Sequence, residues 1–536
     1  MEQIKIRKEK LSIYLARNVN RKDEELIKIE NAKKGIEIYI DESESSFLYA
    51  KNSFKKTPSW TKMFTLTEGV ESEYFGESSN VGAVFIMRVF GSAFILSFGT
   101  GFHLIKDDEI ERDFGLRVTL NSVDPDKLRS LDKASYDHNP LNSRTQSTRD
   151  VDVFNLHLDS ESEMLYAVTG ASLVKEFGNQ VTGRDALTIA VETTLNEIPG
   201  ILHEAIFRYR MKLPDKFSWV DNINRVRDLD EIEILDLELD DYLSSNNYSN
   251  FWLGEPEIVD WEDQIGYSFD MYPRTPRHVI LTLDDYVQHI NNEPMCVTNL
   301  KNDVVHINNS EFSSIKSWSV YRCLYAEIDF GNDHYILRNG VWYKINQDFL
   351  TEVDSYLVDL ENYGFKFPVY EYEREEFYNE YVCKNNTDFS LMDKKNIKIG
   401  GAYDKLEHCD LIRNGSDFIH VKYYRSSSTL SHLFFQGMVG AEAFIKDKSY
   451  REKLNPKLPK SIRLKDAGLR PNPKKYTIVY AIATVKNIPE ELPFFSKVTL
   501  KNTLKTLKAL DYNVAIAKID VSPFILKIKK CKPKKI

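Results

Sequence analysis

The chain has 536 residues, 42% hydrophobic and 12% aromatic, enough for more than one core and, on length, for about three domains. Five cysteines, at 296, 323, 383, 409 and 531, show neither paired nor C-x-x-C spacing, which argues against a disulfide framework or structural zinc and fits a reducing cytoplasm. The net charge of −10 is uneven: residues 394–536 carry 30 Lys+Arg against 12 Asp+Glu, residues 1–393 carry 41 against 69, and the basic end has the footprint of a phosphate-backbone binder.

The first residues, Met1 to Lys8, lack the apolar core and cleavage site of a signal peptide. The longest apolar run, Val81 to Phe98, is broken by Arg88 and Gly91-Ser92 and reads as a hairpin, not a membrane span. A cytoplasmic protein with no membrane partner is expected.

Residues 1–215 read as a mixed α+β domain. Leu11 to Leu15 and Ile36 to Ile40 have strand character, and the 81–98 hairpin follows. Gly99 and Gly101 are turn formers, since neither G-K-[ST] nor G-x-G-x-x-G spacing surrounds them. Arg117, Arg129, Arg144 and Arg149 read as surface charges, with ligand holding the alternative. Asp124 to Asp150 is polar and reads as a long loop; Gly183 to Leu195 and Gly200 to Met211 show helical periodicity.

Residues 216–365 form an acidic linker and a β-rich middle region. Asp228 to Asp241 alternates Leu/Ile with carboxylates; an acidic strand or solvated linker is favoured over a phosphate mimic covering the basic end. His334 to Leu337, the turn Arg338-Asn339-Gly340 and Val341 to Ile345 spell a hairpin, and Phe349 to Leu360 a helix.

Residues 366–536 read as helix, strand, strand, strand, helix, strand. Tyr370 to Val382 is the first helix and carries Glu373, Glu376 and Glu380; Lys395 to Ile399 is the candidate first strand. Cys409 to Ile412 and Phe418 to Tyr424 flank Asn414-Gly415 and should pair antiparallel, with Asp410 across from His420. Strand alternation puts His420 and Lys422 on one face. A carboxylate, an imidazole and an ammonium gathered there are costly to bury without partners, so either a solvated edge hairpin or a cleft with a bound metal is implied. Thr429 to Phe444 is an amphipathic helix with His432 and Gln436 one turn apart. Tyr476 to Val485 is a strand, and a helix to about Leu510 and the strand Asn513 to Ile519 complete the domain.

This order, with Glu380, Asp410, His420-Val421-Lys422 and Gln436 in sequence, resembles the αβββαβ core of the PD-(D/E)XK nuclease superfamily. It departs at His420, where that superfamily usually has Glu or Asp. The whole chain also resembles a bacterial family of sporadically distributed proteins of unknown function. The carriers are Pro58-Ser59-Trp60, Asp113-Phe114-Gly115-Leu116-Arg117 with Leu120-Asn121, Val168-Thr169-Gly170, Tyr378-Asn379-Glu380, Glu407-His408-Cys409-Asp410, Leu430 to Phe434 with Gln436-Gly437, and Pro493 to Lys497. Such patchy families are often linked with phage or mobile-element defence.

The resemblance implies an α+β multidomain protein with mixed α/β amino-terminal and middle regions and a restriction-endonuclease-like C-terminal core. It implies hydrolysis of DNA or RNA phosphodiester bonds with Mg²⁺ or Mn²⁺ held by Glu380, Asp410 and His420. Lys422 would stabilise developing charge and Gln436 position the water. Arg425, His432 and the Ser427-Ser428 helix start would contact backbone phosphate. Imidazole in place of carboxylate shifts the preference toward Mn²⁺. Glu407 could supply the missing charge, but on a regular strand its offset from Asp410 puts it on the other face. The alternative is an inactive nuclease fold that binds nucleic acid or a protein partner as a scaffold; homo-oligomerisation is left open.

Overall fold

The computed structural model describes residues 8–526, except 54, 56, 68, 136–141, 153–155, 157, 159–162, 246–247, 249, 258, 260–263, 273, 292, 311, 399–404 and 425–426, and the side chains of 59, 405 and 427–429. Contacts divide it into two compact units, one from 1–134 and 142–220, the other from 135–141 and 221–536. Among the described residues no helix is long and apolar enough to cross a membrane.

The first unit is built on a ten-stranded sheet. Its 82–89 and 92–99 strands form the expected hairpin, closed at Phe90-Gly91, both with positive φ. The described residues of the polar stretch 124–150 are strand, not the expected long loop. Val123–Ser135 and Asn142–Val151 pair antiparallel, with Leu128, Leu131 and Ala134 buried on the inner strand. The outer strand lies at the sheet edge, where a polar sequence leaves nothing for another chain to bury. Arg144 makes a bidentate pair with Asp132 at 2.6 Å and Arg129 pairs with Asp150, so both tie the hairpin together. The helix read over 183–195 is the strand Leu187–Glu192: Leu187, Ile189 and Val191 are buried on one side, a period of two. The helix Phe114–Leu120 lies directly on strand backbone. A Cβ at Gly115 would come within 2.0 Å of the Ala186 carbonyl oxygen, which accounts for glycine within Asp113-Phe114-Gly115-Leu116.

In the second unit the acidic run folds as the helix Leu229–Ser244, neither strand nor linker. The Asp228 side chain caps it by accepting the Asp230 and Glu231 N–H groups. Leu235, Leu239 and Leu243 face the core at a spacing of four, and buried Asp236 accepts from Lys301, Tyr321 and Trp342 at 2.6, 2.6 and 2.9 Å. The Asp333–Arg338 and Val341–Ile345 strands close over Asn339-Gly340, both with positive φ. The helix Gln347–Val358 follows.

The C-terminal part supplies α1 (Glu375–Asn385), β1 (Phe389–Leu391), β2 (Leu411–Arg413), β3 (Asp417–Tyr423), α2 (Ser427–Lys446), β4 (Thr477–Ala483), α3 (Phe494–Ala509) and β5 (Asn513–Ile519). They form a six-stranded sheet ordered Glu361–Asn362, β5, β4, β3, β2, β1. β1, β2 and β3 are antiparallel; β3, β4 and β5 are parallel, joined by the crossover helices α2 and α3. One face buries Phe418, Ile478, Tyr480 and Ile516 beneath α2 and α3; the other buries Ile419, Val421 and Val479 with Tyr378 and Val382 of α1. Burial on both faces explains the unbroken apolar run of β4. The expected first strand is displaced: Ile397–Lys398 pairs with Lys405–Leu406 in a separate ribbon, and β1 takes the sheet edge.

Candidate functional site

Asp410 immediately precedes β2, and every polar group it carries along the chain is used. Its N–H donates to the Ile419 carbonyl at 3.0 Å and its carboxylate accepts the Val421 N–H at 2.6 Å. Its carbonyl accepts the Met392 and Asp393 N–H groups at 2.8 and 2.9 Å. These bonds stitch the turn at 392–395, where Lys394 has φ +63, onto the hairpin and bring Asp393 beside Asp410.

Glu407 arrives from the irregular segment before Asp410. Its carboxylate accepts the Lys394 N–H and, at 3.3 Å, the Gln436 side-chain amide of α2. Asp393 accepts from Asn379 of α1 at 3.2 Å. One oxygen from each of Asp393, Glu407 and Asp410 lies within 4.8 Å of the others, and all three residues are half-buried.

Burial, augmented by the charges of Glu407, Asp393 and Glu375, pushes the Asp410 carboxyl well above the usual carboxylate range, against the opposing Val421 N–H. Burial also raises Glu407; the Lys394 N–H opposes this, and Asp393 adds to it. Beside the cluster, Lys422 donates to Glu375 of α1 at 2.8 Å, and the other Glu375 oxygen accepts the Tyr423 N–H at 3.1 Å. The site thus joins three carboxylates that repel one another, an ammonium fixed at the end of β3 and an amide from α2. Such a set of hard oxygen donors can hold a divalent cation.

A model of a family of unknown function, DUF6119, matches residues 11–520. The chain belongs to this family. No curated protein and no solved structure matches it.

Across this DUF6119 chain, the residues singled out in the sequence separate into three groups. Asp410, Lys422 and Gln436 come together as described. Glu380 and His420 do not join them. Glu380 is exposed on α1 with its carboxylate 4.0 Å from Lys384. β2 pairs with β3 from Arg413↔Asp417 as far as Leu411↔Ile419 and not at Asp410, whose N–H bonds the Ile419 carbonyl; the His420 ring is completely buried, 6.0 Å from the Tyr480 ring, under α2. Burial pushes it down to about 3, so the imidazole is neutral, and neither ring nitrogen has a hydrogen-bond partner among the described residues. His432 is exposed one turn before Gln436. Arg425 lies outside the described residues, as do the side chains of Ser427 and Ser428, whose backbone opens α2.

Asp393 and Glu375 were not singled out by sequence reasoning, and Asn379 only as part of the Tyr378-Asn379-Glu380 motif, with no role at the site. Asp393 sits in a Met-Asp-Lys-Lys-Asn turn and Glu375 in an acidic run, where an acid is unremarkable. Glu407 was set on the wrong face by strand alternation, but residues 407–410 are not strand and alternation does not govern them.

Proposed function

We propose that this DUF6119 protein is a metal-dependent nuclease that hydrolyses phosphodiester bonds of DNA or RNA. The observation that carries the reading is the convergence of Asp393, Glu407 and Asp410 next to Lys422, within an α1-β1-β2-β3-α2-β4 order like that of PD-(D/E)XK nucleases. Glu407 and Asp393 would supply the carboxylates that position 420 lacks, and an all-oxygen set suits Mg²⁺ as well as Mn²⁺.

Asp393, Glu407 and Asp410 would hold the cation, and its binding would relieve the repulsion that raises the Asp410 and Glu407 carboxyls. A cation bound there supplies polarisation of a phosphoryl oxygen and a more acidic water. Lys422, steadied by Glu375, presents an ammonium where negative charge develops on the phosphate. Gln436, through Glu407, fixes one carboxylate and offers an amide to the attacking water. Asn379 does the same service for Asp393.

The test is incubation of the purified protein with single- and double-stranded DNA and with RNA, in Mg²⁺ or Mn²⁺. Asp410→Asn, Glu407→Gln and Lys422→Ala run beside it. Cleavage that each change lowers at least 100-fold supports the site. Cleavage indifferent to all three removes it, and binding without cleavage of any substrate moves the protein to the scaffold reading.

A further inference from the structure

A second polar site lies in the same unit. It is a cavity of about 550 Å³ between the strands Leu324–Phe330 and Asp333–Arg338 and the amino-terminal end of α3. Lys486, which follows β4, forms part of its wall, and Tyr424, which follows β3, accepts from the Lys486 ammonium at 3.3 Å. Tyr424 N–H bonds the Ala483 carbonyl, so the cavity opens beyond the carboxyl ends of two parallel strands, where α/β sheets place ligands. Its volume falls within the ordinary range of small-molecule sites, roughly 300–1,000 Å³.

Most charges on the wall are already matched. Asp329 pairs with His334, Lys497 donates to Asp354 at 2.8 Å, and Glu491 accepts the Asn487 N–H at 2.8 Å. Glu327 differs. It is 7% exposed, and one oxygen accepts the Phe494 N–H at 2.8 Å at the start of the 16-residue helix α3. Its other oxygen, Oε1, is buried with no hydrogen-bond partner among the described residues. A buried carboxyl oxygen left over in a cavity wall is an unused hydrogen-bonding position that a ligand can fill. Across the wall Lys486 offers N–H donors, and no ion pair joins the two among the described residues.

We propose that this cavity binds a nucleobase. A base carries an N–H donor and a neighbouring acceptor on one edge, which suits the Glu327 oxygen and the Lys486 ammonium. Tyr242 and Phe494 also line the space and bring aromatic surface to it, whereas Tyr335 lies opposite Ile328, with its side chain in the core on the other face of the strand pair. Carboxylates outnumber lysines on the wall, so the part inside is a neutral ring and any phosphate stays outside. The base is either that of a free nucleoside or one from a nucleic-acid strand.

The test is calorimetric titration of the full chain, without divalent metal, with adenosine, guanosine, cytidine and uridine, and separately with a short single-stranded oligonucleotide. Glu327→Gln keeps a carbonyl oxygen for the Phe494 N–H but can turn an NH₂ toward the cavity. Lys486→Met removes the ammonium without touching α3. Saturable binding of a nucleoside that each change weakens tenfold or more, while Asp410→Asn leaves it intact, supports the site and a free ligand. The same pattern with the oligonucleotide alone supports a strand base. Binding to neither, or binding that survives both changes or is lost in Asp410→Asn, overturns the proposal, whatever the outcome of the cleavage assay.

Discussion

At position 420 a carboxylate would not rebuild the nuclease motif. The His420 ring is sealed under α2 next to Tyr480, and one of its nitrogens carries a hydrogen with no acceptor among the described residues. His420→Glu would place an acid in that pocket, at a cost of about 3 kcal/mol or more if it ionises. His420→Leu, which removes an unsatisfied donor, should cost far less. Chemical denaturation of the two variants, alongside metal-dependent cleavage, separates the ideas. A stable His420→Glu protein with raised activity would mean that the ring faces the metal after all. Lys422 and Gln436 were legible because each stands on regular structure, where spacing fixes direction, and Asp410 because it directly precedes a strand that the Asn414-Gly415 turn pairs with β3. Asp393 and Glu407 were not, because backbone hydrogen bonds to Asp410 and Lys394 place them, and no periodicity encodes those bonds.

Elements were legible where local chemistry agrees with the tertiary setting. Asn339-Gly340 and Asn414-Gly415 adopt the positive φ their hairpins demand. The acidic helix Leu229–Ser244 was missed because Ile232, Ile234, Leu235, Leu237 and Leu239 fit a period of two nearly as well as one of four, and only the core selects Leu235, Leu239 and Leu243. In α2 the sequence hides a close approach. A Cβ at Gly437 would meet the Tyr480 ring at 2.6 Å, and that ring is fully buried, its hydroxyl donating to the Phe434 carbonyl. Gly437→Ala should therefore lift α2 from the sheet, lower stability by about 1–3 kcal/mol and draw Gln436 away from Glu407. An unchanged melting temperature would show that the contact yields without cost. α3 carries a different signature. Burial raises Glu327 from 4.5 to about 7, against the Phe494 and Phe495 N–H groups. A carboxyl that binds its proton more tightly when folded favours folding below its unfolded pKa, and that gain is lost as pH rises through the folded value. Relative to Glu327→Gln, the wild-type protein should lose up to about 3 kcal/mol between pH 5 and 8. Parallel stability profiles for the two proteins would mean that the carboxyl is solvated.

Over the whole molecule the C-terminal order of helices and strands could be read except for its first strand, since Phe389–Leu391 is too short to carry a signal and Ile397–Lys398 pairs outside the sheet. The ten-stranded sheet of the first unit could not, since its edge strand Asn142–Val151 has no apolar face to betray it. Charge segregation is a property of the sequence alone, and it bears directly on the proposed substrate. Between α2 and β4 the connection exposes Lys460, Arg463, Lys465, Arg470, Lys474 and Lys475. If this stretch tracks a phosphate backbone, counterions leave when nucleic acid binds, and affinity falls linearly on a log–log plot against salt, with slope about −0.9 per phosphate neutralised on duplex DNA. Fluorescence anisotropy with a labelled duplex in EDTA, from low to physiological salt, measures that slope without cleavage. Replacing Lys460, Lys465, Arg470 and Lys475 by alanine should weaken binding and flatten the slope by about one for each residue that touches a phosphate. A slope identical to that of the wild type would take the connection out of the interface and leave its charge as solubilising surface only.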